Sequence, residues 1–409
     1  MRILHIISQA PDFTGSGKFI QQILVHSGHT GHDNFLVAGI QGDFSLPENL
    51  IETDRCLFVR FDGKDLDFPV PGMSDVMPYE SRVFSRMKPQ ELAAYEQTFE
   101  TKIRQALDRF QPDIIHTHHL WIVSAIARRL APGIPMITSC HGTCLRQHVL
   151  CPAISQRITP DLTQIDQIIA LSQSQKQEII RTIGTAPESI HVVSGGYNDA
   201  CFFHAPKPFD GMVELVYAGK LSQAKGVPWL LRSLAEIRHL PFRLHLAGNS
   251  SDREKARCLE LAGMLNEKMI YHGPLSHDDL GTLLRHAHVF VLPSFYEGLP
   301  LVLMEALACG CRLVATALPG VKELLADDDN PMVRLLELPP LETIDTPYEA
   351  DMPELETRLA SVLAQTIQEV QTHPEPDWDY ACTKSFPYTW EKIFSKIDRV
   401  YQRAAHGKT

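Results

Sequence analysis

Two glutamates eight residues apart, Glu297 and Glu305, stand in the stretch FVLPSFYEGLPLVLMEALACG between Phe290 and Gly310. An ionised carboxylate only accepts hydrogen bonds, so each glutamate suits the hydroxyls of a sugar rather than a phosphate. Upstream, YAGKLSQAKG carries Lys220 and Lys225, two ammonium groups able to neutralise a diphosphate and stabilise it as it leaves. A third group is the loop Thr14-Gly15-Ser16-Gly17-Lys18. It fails as a P-loop, because the motif's first glycine would fall at Asp12 and Phe19 stands where Ser or Thr must meet magnesium. Gly15 and Gly17 still let backbone come close to a phosphate. Histidines supply the last group: His116, His118 and His119 in HTHHLW, and His141 in SCHGTCLRQ.

The elements around these residues follow from apolar periodicity. Val289 to Leu292 predicts a buried strand, and Glu297-Gly298 a turn into a helix with Pro300 near its first position. On that reading Glu305 lies two turns deeper along the same helix, and the helix start offers free N–H groups to an anion. Taken alone, this is an ordinary strand–helix unit with two surface glutamates, and Tyr217 to Gly226 a solvated loop. Strands are also predicted at Met1 to Ser8, Asn34 to Ala38, Asp113 to His116, Met136 to Cys140, Gln167 to Ala170 and His191 to Val193. A second series covers Val213 to Ala218, Phe242 to Ala247, Met269 to His272 and Arg312 to Ala315. Helices alternate with them, including Pro89 to Phe110, Leu120 to Leu130, Glu354 to Gln371 and Tyr388 to Ala404, so parallel βαβ units follow. Residues 41–85 read as irregular, and Gly195 to Gly211 as a linker. The acidic run Asp327 to Asp329 reads as a solvated turn.

Glu-x7-Glu with GLP after the first Glu and a buried strand before it resembles the retaining glycosyltransferases of family 4 (glycosyl transferases group 1). Matching features run from the N-terminus to about residue 325. The resemblance implies an α/β GT-B fold: two Rossmann-like βαβ domains facing across a cleft, with a C-terminal helix crossing back to the N-terminal domain. The expected domains are 1–200 with 386–409, binding the acceptor, and 201–385, binding the nucleotide-sugar. It implies Glu305 on the nucleotide ribose, and Lys220, Lys225, Gly15 and Gly17 about the donor diphosphate. Family members usually have Arg at the first basic position; Lys220 replaces a bidentate fork with a point charge. Glu297 with Gly298 and Leu299 would hold the donor sugar, with Glu297 and His141 nearest the chemistry. Gly248, Asn249, His272 and Gly273 would frame the nucleobase. His118, Arg146, Met73 and Tyr79 are candidates for the acceptor pocket, and His116 and His119 read equally well as satisfied, partly buried histidines.

The cluster Cys140, His141, Cys144, His148 and Cys151 lacks a paired C-x2-C, so no metal is expected, and no cofactor beyond the NDP-sugar co-substrate. With 38 basic and 49 acidic residues the net charge is −11, which argues against a nucleic-acid partner and leaves only peripheral membrane contact open. No segment approaches the roughly 20 apolar residues of a membrane span. MRILHIISQA is too short in its apolar run for a signal peptide. Nine scattered cysteines do not form a disulfide framework, so a cytoplasmic setting is expected, with the cysteines as small buried hydrophobes.

These readings add up to a glycosyltransferase that moves a sugar from an NDP-sugar to a sugar, lipid-linked or small-molecule acceptor, independent of metal. UDP is the commonest base in similar enzymes. An NDP-sugar epimerase of the same fold and a non-catalytic nucleotide-sugar-binding protein are the alternatives.

Overall fold

Two parallel sheets organise the chain, each matched to one stretch of strand–helix alternation. The computed structural model describes residues 1–407 apart from 13, 43, 62, 75–76, 78 and 326–329. The expected turn at Asp327 to Asp329 lies outside the described residues. Two compact units emerge: Met1–Gly195 with Ile393–Thr409, and Gly196–Lys392. The passage between units comes five residues before the expected boundary at 200. Tyr197 already bridges to Thr389 within the second unit, with its N–H donating to the Tyr388 carbonyl at 2.9 Å.

The main sheet of the first unit has seven strands: β1 (Arg2–Ile7), β2 (Asp33–Ile40), β3 (Cys56–Arg60), β4 (Ile114–His118), β5 (Met136–Ser139), β6 (Gln167–Ala170) and β7 (Ile190–Val192), beside a small pair formed by Pro71–Gly72 and Arg82–Val83. Their order is β3-β2-β1-β4-β5-β6-β7, parallel throughout. β3 was not expected. Its run CLFVR is short and sits in a Pro- and Gly-rich region, so only pairing against β2 makes it a strand. Two helices inside the SCHGTC region, Thr143–Leu150 and Pro152–Leu162, were also missed. β1 is near-continuously buried, as a strand covered on both faces requires.

The second unit holds β8 (Val213–Ala218), β9 (Phe242–Ala247), β10 (Met269–Gly273), β11 (Val289–Leu292), β12 (Arg312–Thr316) and β13 (Val333–Leu336), ordered β10-β9-β8-β11-β12-β13. Strand order reverses beside β1 in the first sheet and beside β8 in the second. Loops leaving β1 and β4, and those leaving β8 and β11, therefore diverge at the carboxyl ends of adjacent strands and open a crevice there.

The last helix, Trp390–His406, packs its residues from Ile393 onward with the first unit, seven residues later than the expected 386. Its Tyr401 hydroxyl lies 2.7 Å from His116 Nδ1, and Asp398 lies 2.8 Å from His32 Nε2. His116 is fully buried, and its Nε2 meets Ser139 Oγ at 2.9 Å, so both ring nitrogens are satisfied. Tyr401→Phe would leave a buried imidazole nitrogen without a partner. The expected cost is about 1–3 kcal/mol in urea denaturation of the full chain; an unchanged midpoint would show that the helix docks by apolar packing alone.

Candidate functional site

In the second unit, the loops after β8 and β11 meet at Lys225. Its Nζ lies 2.8 Å from Glu297 Oε1 and donates to the Tyr296 carbonyl at 3.2 Å. Glu297 Oε1 also accepts from Ser294 Oγ at 2.7 Å. The pair is partly shielded, with side chains 27% and 15% exposed. Backbone contacts fix the same junction: Phe295 N–H donates to the Ala224 carbonyl at 2.9 Å. Gly226 has φ +68°, and a Cβ there would stand 1.8 Å from the Pro293 carbonyl oxygen, so only glycine fits. Lys220 is exposed and makes no ion pair with any described residue, leaving its charge available.

Glu305 departs from the expected geometry. The helix is Val302–Ala308, so Pro300 precedes it and Glu305 falls in its first turn rather than two turns along. Pro300 and Leu301 carbonyls instead accept from Leu303 and Met304 in a tight entry turn. The helix has seven residues, and the N–H groups of Leu303 and Met304 are spent within this turn rather than left open at the helix start. Glu297 stands outside it, on the loop. No described residue hydrogen-bonds the Glu305 carboxylate, and burial pushes its carboxyl up to about 7. Gly298 has ordinary φ and open space around it, but its carbonyl lies against Gly320, where a Cβ would approach to 1.6 Å. Thr316 Oγ1 donates to the Ser294 carbonyl at 2.6 Å. The segment from Ser294 to Leu299 is thus pinned from β12 and from the helix Pro319–Leu325.

The expected nucleobase residues join this assembly through backbone. Gly248 N–H donates to the Gly273 carbonyl at 2.8 Å, and the Asn249 carbonyl accepts from Leu221 N–H at 3.2 Å. Gly248 has φ +135°, with a Cβ position 1.8 Å from the Gly219 oxygen. His272 is exposed, and its Nε2 meets His245 Nδ1 at 2.9 Å, with Glu214 on the far nitrogen of His245 at 2.8 Å.

In the first unit, the β1 loop and the ends of β4 and β5 enclose a cavity of about 310 Å³. Gln9, Thr14, Gly15, Ser16, Met73 and Met77 line it together with Ser74, His119, His141 and Thr143. Thr14 caps the helix Gly15–His29 by accepting from Gly17 N–H at 3.0 Å. Gly17 is structural: a Cβ would stand 2.6 Å from the Asp12 backbone nitrogen, whereas Gly15 has open space. His118 is buried behind the cavity, with Nδ1 3.2 Å from His141 Nε2. Burial, reinforced by neighbouring histidines, holds both imidazoles well below their usual values and therefore neutral. Tyr79 does not join Met73. It lines a separate cavity of about 560 Å³ with Asp12, Lys18, Gln21 and Gln41. Arg146 is exposed, lines neither cavity and makes no ion pair with any described residue.

His119 departs from the satisfied histidine expected as one of its two readings. It is 2% exposed and has φ +74°, and its ring nitrogens meet no described residue but the Cys144 thiol beside them. The sequence carried no local sign of this beyond a third histidine after a strand. Ser294, Gly226 and Gly320 were likewise missed, because their roles arise from segments distant in the chain. The Cys/His cluster does not converge. Cys140 and Cys144 sulfurs lie 3.5 Å apart, but His148 spends its nitrogens on Ser155 and the Leu120 carbonyl. A different trio, His5, His116 and His118, brings buried ring nitrogens within 4.8 Å of one another. Eight cysteines are buried and Cys382 is exposed, and none of the nine joins a disulfide. Among the described residues, no helix is long and apolar enough to cross a membrane.

Two family models match, "Glycosyltransferase Family 4" over residues 58–200 and "Glycosyl transferases group 1" over residues 203–333. The chain is 30% identical over 225 residues to glycogen synthase of Mycobacterium tuberculosis (strain H37Rv), covering 52% of this chain and 54% of that protein. It is 25% identical over 251 residues to D-inositol 3-phosphate glycosyltransferase of Arthrobacter sp. (strain FB24), covering 55% and 59%. The chain thus spans little more than half the length of these curated relatives. Among solved structures, sucrose-phosphate synthase from Thermosynechococcus elongatus superposes with a TM-score of 0.67 at 17% identity, covering 98% and 99%. Anabaena HepE in complex with UDP superposes with a TM-score of 0.66 at 16% identity, covering 98% and 100%.

Two outcomes follow. Because the fold raises the Glu305 pKa above its unfolded value of 4.5 to about 7, the folded state holds a proton that the unfolded state has lost between those values. Stability therefore falls as pH rises from about 4.5 towards and through 7. Glu305→Gln removes this loss: calorimetry should show a gain on the order of 3 kcal/mol at pH 8 and little change at pH 4.5. Gly320→Ala should displace the Gly298 carbonyl and lower the melting temperature of the full chain; an unchanged melting temperature would show that the Gly298 loop yields without cost.

Proposed function

The chain belongs to the glycosyltransferases of family 4, with the GT-B fold, and on that premise we propose that it moves a sugar from a nucleoside-diphosphate sugar to an acceptor hydroxyl with retention of configuration and no metal. The single observation that carries this reading is the Lys225–Glu297 contact at 2.8 Å. It holds a cation suited to a leaving diphosphate beside a carboxylate suited to sugar hydroxyls.

Glu305 takes the ribose hydroxyls, since no described residue engages its carboxylate. Lys225 and the exposed Lys220 take the diphosphate. Glu297, Gly298 and Leu299 take the donor sugar, and the Gly248–Asn249 and His272–Gly273 backbone frames the base. On the first unit, His141 stabilises positive charge on a sugar ring or bonds one of its hydroxyls, and Gly15 offers unobstructed backbone to phosphate. UDP is the nucleotide proposed, in keeping with the UDP bound to HepE. The unpaired thiols suit a reducing compartment such as the cytoplasm.

In the transfer, the acceptor oxygen bonds to the anomeric carbon on the face that the leaving group departs. The bond from that carbon to the diphosphate oxygen breaks, and the acceptor's proton passes to a diphosphate oxygen. The lysines stabilise the charge that develops there. Glu297 as a covalent nucleophile is the rival. Its Oε1 is already engaged by Lys225 and Ser294, which makes that oxygen a poorer nucleophile and favours positioning.

A thermal-shift screen of the full chain against UDP, GDP, ADP and their sugars tests the reading, since a ligand that binds only the native state raises the melting temperature. At least one nucleotide should do so, and Glu305→Ala should abolish the shift. Lys225→Ala should lower kcat on the order of a hundredfold. Near-full turnover by Glu297→Gln would remove both catalytic roles from that residue. Conversion of the NDP-sugar without acceptor would point to an epimerase, and tight nucleotide binding with no turnover on any acceptor to a binding protein.

A further inference from the structure

Cys140 and Cys144 bring two thiols together in the first unit, with their sulfurs 3.5 Å apart and both side chains fully buried. His141 and Thr143, which lie between them in the chain, line the 310 Å³ cavity, and so does His119. The pair therefore stands directly behind the cavity lining.

Local structure accounts for the approach. The Cys140 N–H donates to the Ile169 carbonyl at 2.8 Å, which ties the residue after β5 to β6. Gly142, with φ +82°, turns the chain into the helix Thr143–Leu150 and carries Cys144, second in that helix, back over Cys140. A thiol in the first turn of a helix ionises more readily than one elsewhere. His119 follows β4 and reaches the same point. Its φ of +74° is a strained backbone of the kind that gathers at functional sites, and its ring nitrogens meet no described residue but the Cys144 thiol.

A base beside a thiol is the arrangement that activates sulfur as a nucleophile. Burial opposes ionisation of Cys144, but its contacts with Cys140 and His119 outweigh burial and hold its thiol well below the usual range. Cys140 goes the other way, pushed up by burial and by the Cys144 thiol. One sulfur is thus set to attack, and its neighbour is a protonated partner within reach. Cysteines elsewhere in the chain lack this activation. Burial pushes Cys201 and Cys258 up to about 11, and Cys56 and Cys309 up to about 12.

We propose that Cys140 and Cys144 close to a reversible disulfide, with His119 as the base that takes the Cys144 proton and hydrogen peroxide as the oxidant. The Cys144 sulfur attacks one peroxide oxygen and the O–O bond breaks. The sulfur becomes a sulfenic acid, and the released hydroxide leaves as water with the proton held by His119. The Cys140 sulfur then attacks the Cys144 sulfur, the S–O bond breaks, and that hydroxide takes the Cys140 proton as a second water. Two thiols and one peroxide give one disulfide and two waters, and a dithiol reductant returns the thiols. Closure shortens the sulfur separation from 3.5 Å to about 2 Å. Because Cys140 is tied to β6, the shift falls on the segment that pivots at Gly142, so His141 and Thr143 move in the cavity wall.

The test exposes the reduced full chain to hydrogen peroxide, blocks the remaining thiols by alkylation and digests with trypsin. Both cysteines fall in one peptide, Leu130–Arg146. That peptide should lose two hydrogens while the other buried cysteines are recovered alkylated, and dithiothreitol should reverse the loss. Cys140→Ala should stop Cys144 at a sulfenic acid that dimedone traps. His119→Phe removes the base, as does His119→Asn, in which Asn accepts the left-handed backbone. Each should slow closure about tenfold, the effect of about one pKa unit on the thiolate fraction. In NMR spectra the His119 and His141 ring resonances should move on oxidation of the parent protein and stay in place in Cys140→Ala. The proposal is overturned if the peptide stays reduced while other thiols react, or if all buried thiols react together as the chain unfolds. Parental closure rates in both His119 variants, or unmoved His141 resonances in the closed protein, would overturn it as well. None of these readouts depends on nucleotide-sugar turnover.

Discussion

The close approach of the loops after β8 and β11 is the constraint on which the second unit's site depends. Gly226 accepts a left-handed backbone and lies against the Pro293 carbonyl with no room for a Cβ. That approach lets Ala224 accept from Phe295 N–H and brings Lys225 onto Tyr296 and Glu297. Trp229 stacks on Phe295 beneath, with ring centroids 5.2 Å apart and planes 20° apart, so apolar packing sets the separation at which the ion pair forms. A partly shielded pair of this kind adds little net stability. Its consequence is orientation: the carboxylate and ammonium are held in register by groups that do not themselves carry charge.

Glycines extend the same principle through the unit. Gly248 packs on Gly219, and Gly320 packs on Gly298. Each close approach couples two loops that leave different strands, so the lysine loop, the glutamate loop and the backbone ends of β9 and β10 behave as one assembly. In the first unit the analogous joint is Gly17 against Asp12, which shapes the start of the helix Gly15–His29 beside the cavity. Both assemblies stand where strand order reverses, which is where parallel sheets of this kind open to ligands.

Charge is managed differently in the two places. Around Lys225 and Glu297 opposite charges compensate each other. Around His118 and His141 burial removes charge altogether, leaving neutral imidazoles that hydrogen-bond rather than attract. Glu305 falls between these cases, with no cation to offset its burial and a carboxyl raised to about 7. A group held near its point of titration gains most when a ligand supplies hydrogen bonds to its ionised form.

Much of this was legible in the residues themselves. Period-two and continuous apolar runs place most strands of both sheets, because a buried parallel strand must be apolar wherever it lies in the fold. EGLPLVLMEALACG and YAGKLSQAKG identify the two loops that matter, since charge, glycine and strand endings are local properties. Other features depended on partners far along the chain. CLFVR becomes β3 only by pairing with β2, and Glu305 comes into the first helical turn only because the chain delays the helix to Val302. Gln9 and His119 look like ordinary polar residues until the fold buries them beside one cavity. Local pattern can say which residues are able to bond. Whether a partner is within 3 Å is a property of the assembled chain, and that is where tertiary structure decided which residues form the site.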